Sequence, residues 1–194
     1  MINRRDFVKT GAAAGVLLGL APSFGCSSKV EASAKVLIVG GGAAGLRNAG
    51  YNGGIALIDP AKGSVVARYS VQEKVSGAAA IDNNGNIHFG TEAGFYYIVK
   101  RTGTSFELLV KRNLADIIKS DPRYASQYSD LYTAKIWSSV VIGDDGRMYI
   151  CYTDDDSRAF GGVAVLSYEG CKGPDTSSPW PMMGRNRRHT NNQN

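Results

Sequence analysis

The sequence predicts an all-β protein assembled from short antiparallel strands in units of about four, with a short helical insertion near residues 113–134 and an N-terminal signal segment. Three observations carry that expectation. A strand-and-turn segment recurs at a shift of 40 residues, a hairpin recurs at a shift of 61, and the chain holds Gly 24 and Tyr 10 with few long helix-forming runs. Apolar stretches punctuated by glycine in this way read as strands joined by tight turns. At 194 residues, 43% hydrophobic and 20% charged, the chain suits one domain with a sizeable core.

The first 26 residues are set apart from the folded part as a targeting signal. Asn3-Arg4-Arg5-Asp6-Phe7-Val8-Lys9 resembles the twin-arginine (Tat) export consensus, with Arg4, Arg5, Phe7 and Lys9 as the residues that carry it. The stretch from Gly11 to Ala21 is rich in Gly and Ala and is too short to span a membrane, which takes roughly 20 apolar residues. Pro22 and the Gly-Cys-Ser-Ser run then stop any helix. Two processing sites compete. Ser23-Phe24-Gly25-Cys26-Ser27-Ser28 looks like a lipoprotein box, with Cys26 becoming the lipidated first residue and Ser23 standing where an aliphatic residue is usual. Ala32-Ser33-Ala34 offers an A-x-A cleavage site after Ala34. A lipidated Cys26 would also account for an odd count of Cys 3. Cys151 and Cys171 would not lie opposite each other in a hairpin and are expected to be unpaired.

Lys35-Val36-Leu37-Ile38-Val39-Gly40-Gly41-Gly42-Ala43-Ala44-Gly45 fits G-x-G-x-x-G after an apolar strand, the dinucleotide fingerprint. With the leader, it resembles the start of an exported flavoprotein, which implies FAD bound through Gly40–Gly45. The physics opposes that reading. A helix must start at the third glycine and offer its N-terminus to the pyrophosphate. Leu46-Arg47-Asn48-Ala49-Gly50-Tyr51-Asn52-Gly53-Gly54 would be that helix, and each of its glycines costs about 0.8–1 kcal/mol of helix propensity. No βαβ alternation follows. The stretch is expected to end a strand and open a loop.

Gly54-Ile55-Ala56-Leu57-Ile58-Asp59-Pro60-Ala61-Lys62-Gly63 aligns with Gly94-Phe95-Tyr96-Tyr97-Ile98-Val99-Lys100-Arg101-Thr102-Gly103, and each copy enters a further strand, Ser64 to Tyr69 and Ser105 to Lys111. Ile81-Asp82-Asn83-Asn84-Gly85-Asn86-Ile87-His88-Phe89 aligns with Ile142-Gly143-Asp144-Asp145-Gly146-Arg147-Met148-Tyr149-Ile150. Asn84-Gly85 and Asp145-Gly146 suit two-residue hairpin turns. Gly162 to Tyr168 adds another strand. Between the last two units, Leu114–Ile118 and Tyr128–Tyr132 are compatible with short helices separated by Asp121-Pro122.

A four-stranded unit of about 40 residues has the period of a propeller blade. Ala80-Ile81-Asp82, the run from Asn84 to Thr91, and Ile58-Asp59-Pro60 resemble the PQQ-like repeat β-propellers of exported bacterial proteins. The segment from Ser178 to Thr190 is similar to a Trp-Pro-Met stretch that flanks such propellers, with Met183 in place of an aromatic. The resemblance implies a partial or open β-propeller of about three four-stranded blades over residues 35–170, followed by a C-terminal tail over 171–194. It implies fold more than function, because most such proteins bind no quinone. Three blades are fewer than the four to eight of a closed propeller. Open edges would therefore recruit a protein partner or a second copy.

No catalytic residue, cofactor site or metal site is predicted. Asp154-Asp155-Asp156-Ser157 reads as a solvated hairpin loop and not a calcium site, since no spaced Gly or bidentate Glu completes it. His88 and His189 lie too far apart in sequence for metal spacing; His88, Trp137 and Trp180 are expected to pack. The net charge of +5 divides between the leader and Arg185, Arg187 and Arg188 in the tail. Without a basic stripe this is no nucleic-acid footprint. The expectation is an exported, cell-envelope binding or scaffold module in the periplasm, held to the membrane by a lipid anchor if Cys26 is used. The alternative is a redox protein dependent on FAD or PQQ.

Overall fold

A computed structural model describes residues 37–40, 53–59, 62, 64–154, 161–177 and 181–182. The predicted signal, Gly41–Gly45, Asp155–Ser157, Trp180 and His189 lie outside the described residues. The fold is mostly β: three small antiparallel sheets and, among the described residues, one helix. Sheet 1 comprises β1 (Leu37–Gly40), β2 (Gly53–Asp59) and β3 (Ser64–Val71). Sheet 2 comprises β4 (Ala80–Ile81), β5 (Asn86–Gly90), β6 (Phe95–Thr102) and β7 (Ser105–Asn113). Sheet 3 comprises β8 (Val141–Ile142), β9 (Arg147–Thr153) and β10 (Gly161–Ser167). Each is a meander in which neighbours in sequence pair, because short turns join the strands. Among the described residues the sheets form an open row and no closed ring.

Sheet 2 is the middle layer. Side chains alternate across a strand, so each of its faces builds one core. Ile87, Phe89, Tyr97 and Val99 point at sheet 1 and join Ile55, Val71 and Val75. Tyr96 and Ile98 point at sheet 3 and join Ile142, Met148, Ile150, Tyr152 and Ala164. With both faces covered, β5 is buried at every position. Phe89 and Tyr97 stack with ring centroids 5.1 Å apart, and Tyr69 meets both edge-on.

The three sheets share one register. Gly40 pairs with Ile55, Gly90 with Tyr96, and Cys151 with Val163; two residues earlier on each first strand, Ile38 pairs with Leu57, His88 with Ile98, and Tyr149 with Val165. Leu37–Gly40, Ile87–Gly90 and Met148–Cys151 are therefore equivalent strands. Here the structure corrects the sequence alignment by one residue. Leu57 therefore matches Ile98 at a shift of 41, not 40. Just beyond these residues the pairing steps past one extra residue on the partner strand, Val66 on β3 and Leu109 on β7, a β-bulge in each hairpin. A bulge adds one residue to the strand that carries it, so β3 and β7 bend there while the side chains of β2 and β6 keep their alternation.

The predicted two-residue turns are larger. Gly85 N–H donates to Asp82 O and Asp82 N–H to Asn86 O; Gly146 N–H donates to Gly143 O and Gly143 N–H to Arg147 O. Each is an i→i+3 turn closed by a glycine in the left-handed region, at φ 76° and 74°. A Cβ on Gly146 would lie 2.1 Å from the Cys171 carbonyl oxygen, whereas one on Gly85 would meet nothing within 4 Å. Gly85→Ala is thus expected to cost only the left-handed strain of about 1–2 kcal/mol. Gly146→Ala should cost measurably more in urea unfolding, because the chain at Cys171 must move as well.

The insertion is one helix and a set of turns. In α1 (Leu114–Ser120) the Asn113 side chain caps the start by accepting from Ala115 N–H at 2.9 Å. Leu114 and Ala115 anchor it in the core, and it stops at Asp121, before Pro122. The second expected helix is absent: Asp121–Asp130 form turns. Ser126, Ser129 and Asp130 compete for backbone groups and oppose a helix that short. Trp137, expected to pack, is 47% exposed with Lys74 Nζ 5.5 Å from its ring. The inward position goes to its neighbour Ile136, fully buried against Gly90.

The tail crosses the free edge of sheet 2. Ile81 N–H donates to Pro181 O at 2.7 Å, Asp175 N–H to Ile81 O at 2.9 Å, and Asn83 N–H to Gly173 O at 3.0 Å. Met182 enters the core between sheets 2 and 3. These bonds satisfy the β4 edge, which would otherwise present unpaired backbone groups.

Candidate functional site

The strongest polar constellation among the described residues is buried between sheets 2 and 3. Asp82 leaves β4 into the first turn of the hairpin, His88 sits mid-β5, and Tyr96 lies on β6. Asp82 and His88 are fully buried and Tyr96 is 2% exposed. Asp82 Oδ1 accepts from the backbone N–H groups of Asn84 (2.8 Å) and Asn86 (2.9 Å). Its Oδ2 accepts from the Asn86 side-chain amide (2.9 Å) and faces His88 Nε2 at 3.0 Å. His88 Nδ1 meets the Tyr96 hydroxyl at 2.5 Å.

Donor and acceptor inventory sets the proton that faces the carboxylate. An ionised carboxylate only accepts, so Nε2 carries a proton toward Asp82; in the neutral ring Nδ1 then accepts from the Tyr96 O–H. Burial pushes the Asp82 carboxyl upward, but the His88 ring, the Asn86 side chain and the two backbone N–H groups outweigh it and hold it below the usual carboxylate range. Burial, with Cys171 and Asp82 nearby, pushes the Tyr96 hydroxyl far up, so it stays a donor.

Cys171 stands close to this group, and a cysteine beside histidine and aspartate suggests a nucleophile. The chemistry does not follow. Burial pushes the Cys171 thiol up, against a weaker opposing effect of the Gly173 backbone, so at neutral pH it is the unreactive thiol. Both His88 nitrogens already have partners, in Asp82 and Tyr96, and among the described residues neither has the thiol as a hydrogen-bond partner. What the arrangement does is hold the Asp82–Asn86 turn, β5 and β6 together.

A second cluster braces the other face. Tyr97 O–H donates to Glu73 at 3.0 Å, and Lys111 Nζ reaches Glu73 at 3.0 Å while lying 4.4 Å from the Phe95 ring centroid. It ties the segment after β3 to sheet 2.

Of the residues singled out from sequence, His88 departs most from expectation: it is a hydrogen-bonded member of a polar network. Its signal was available, since strand alternation puts it beside Ile98 on an inward face, six residues after Asp82 and two after Asn86. Cys151 and Cys171 are free thiols, the former on the outer face of sheet 3. Asp154 is buried, so it is no part of a fully solvated loop.

Strand direction is described for the residues that lead into the glycine-rich stretch, as far as Gly40. β1 pairs antiparallel with β2, Leu37 opposite Ile58 through Gly40 opposite Ile55. A dinucleotide motif needs these two strands parallel, joined through a helix. Gly40 is instead the counterpart of Gly90, the last residue of a repeat strand.

Residues 1–21 match the family model of the TAT (twin-arginine translocation) pathway signal sequence. The twin-arginine signal covers Arg4, Arg5, Phe7 and Lys9 and gives the chain an export leader to the far side of the cytoplasmic membrane. The match ends before Cys26 and identifies no repeat or propeller family. No curated protein matches the chain.

Proposed function

We propose that the chain is an exported cell-envelope module of the propeller-repeat type, acting by binding or scaffolding in the periplasm, with Cys26 as its lipid anchor. One observation carries the reading: three consecutive sheets with a common pairing register, stacked face on face behind a twin-arginine signal. A row of equivalent sheets is a way to build surface, and the buried polar groups are spent on holding that row. The antiparallel β1–β2 pair supports reading Gly40–Gly45 as a strand end and weighs against the flavin alternative.

The test is fractionation with variants. Replacing Arg4 and Arg5 by Lys is expected to leave the protein in the cytoplasm. Cys26→Ala is expected to release the exported protein from the membrane fraction. Wild-type protein purified from the envelope should bring partners with it and be colourless. Visible flavin or quinone absorbance in the purified protein would overturn the reading in favour of a redox protein dependent on FAD or PQQ.

A further inference from the structure

The shared register identifies, for every sheet, the two residues that meet the next sheet in the row. In sheet 1 they are Ile55 and Leu57, both fully buried; in sheet 2 they are Tyr96 and Ile98, at 2% and 1% exposure. In sheet 3 the same positions hold Val163 and Val165, at 59% and 49%. Around them on the same face stand Tyr149 and Cys151, their cross-strand partners. The face carries the apolar chemistry of the two covered faces and no charge at these four positions. An exposed apolar sheet face of this kind marks an interaction site.

What covers such a face inside the chain is also defined. Sheet 1 covers Tyr97 and Val99 of sheet 2, which are 2% and 0% exposed. The shared register makes Ala56 and Ile58 their counterparts, and Val65, opposite Ile58, the counterpart of Leu108. On this face Ala56 is 4% exposed, Ile58 is half-buried and Val65 is 43% exposed, so its open part is the Ile58–Val65 end. The described row therefore starts with an accepting face and ends with a covering face, the two kinds that already meet twice within it.

We propose that the outer face of sheet 3, built from Tyr149, Cys151, Val163 and Val165, docks on the Ile58–Val65 face of sheet 1 in a second copy of this chain, continuing the stack head to tail. The inference rests on the repeat reading above and adds the partner to it. The contact is heterologous, so copies close into a ring or extend as a chain. It uses faces, not strand edges; the β4 edge is already paired with the tail.

Two single substitutions test it. Val165→Glu blocks the sheet 3 face and Val65→Glu blocks the sheet 1 face; both side chains are exposed within one copy, so circular dichroism should match wild type. In sedimentation equilibrium, wild-type protein is expected to gain mass with concentration. Each variant alone should associate about tenfold or more weakly, since it would bury an unpaired carboxylate. Mixed in equal amounts, the two should form a one-to-one pair, because each keeps the face the other has lost. The proposal is overturned if wild type stays monomeric at all concentrations, if the mixture does not pair, or if Val65→Glu protein still associates with itself, which would mark a symmetric contact through sheet 3. A monomer that co-purifies with a different envelope protein ends this proposal while leaving the module reading intact.

Discussion

Asp82→Ala is expected to destabilise the protein by about 3–5 kcal/mol, the largest effect of any single substitution considered, measured as a fall in the urea midpoint. The change removes one carboxylate and strands four groups at once: the His88 Nε2–H, the Asn86 side-chain amide, and the backbone N–H groups of Asn84 and Asn86. Each buried donor without a partner costs about 1–3 kcal/mol, so stranding several at once reaches the expected loss. Asp82→Asn keeps the shape and one acceptor, so it should cost less. The acid side supplies a second readout. Because the folded carboxyl titrates below its unfolded value of about 4, its contribution is present above that pH and is lost as pH falls through the lower, folded value. Wild-type stability should therefore fall more steeply in acid than that of Asp82→Asn. Equal slopes would mean that the carboxylate is not held as described.

Ile98→Ala and Val165→Ala should differ by several-fold although the residues occupy equivalent positions in successive sheets. Ile98 is 1% exposed between sheets 2 and 3, and its truncation is expected to cost about 2–5 kcal/mol through lost burial and a cavity. Val165 is 49% exposed, and at dilutions where the protein is monomeric its truncation should fall within about 0.5 kcal/mol of wild type. The pair is informative because sequence alignment treats both as strand-interior aliphatics. A large loss from Val165→Ala in dilute protein would show that this face is already covered within one chain.

Several features of the protein are set locally and could be seen without coordinates. The twin-arginine leader is a contiguous string read by its own chemistry. Strands β2, β3, β6, β7 and β10 lie where apolar runs are bounded by Gly and Asn-Gly or Asp-Gly pairs, since turn conformation depends on a few adjacent residues. The glycine run after Val39 is followed by a segment short of the helix formers a nucleotide site needs, which the letters alone display.

Tertiary structure decided the rest. Which strand positions are equivalent depends on cross-strand pairing, Gly40 with Ile55 and Gly90 with Tyr96, which a repeat matched by letters cannot register and which moved the alignment from 40 to 41. His88 looked like a packing residue because its partners Asp82 and Tyr96 become neighbours only once β4, β5 and β6 pair. Tyr96, Ile98, Val163 and Val165 carry the same alternating signal. The first two are buried and the last two exposed because burial belongs to the sheet that lies opposite, and no property of the strand itself records whether that sheet is there.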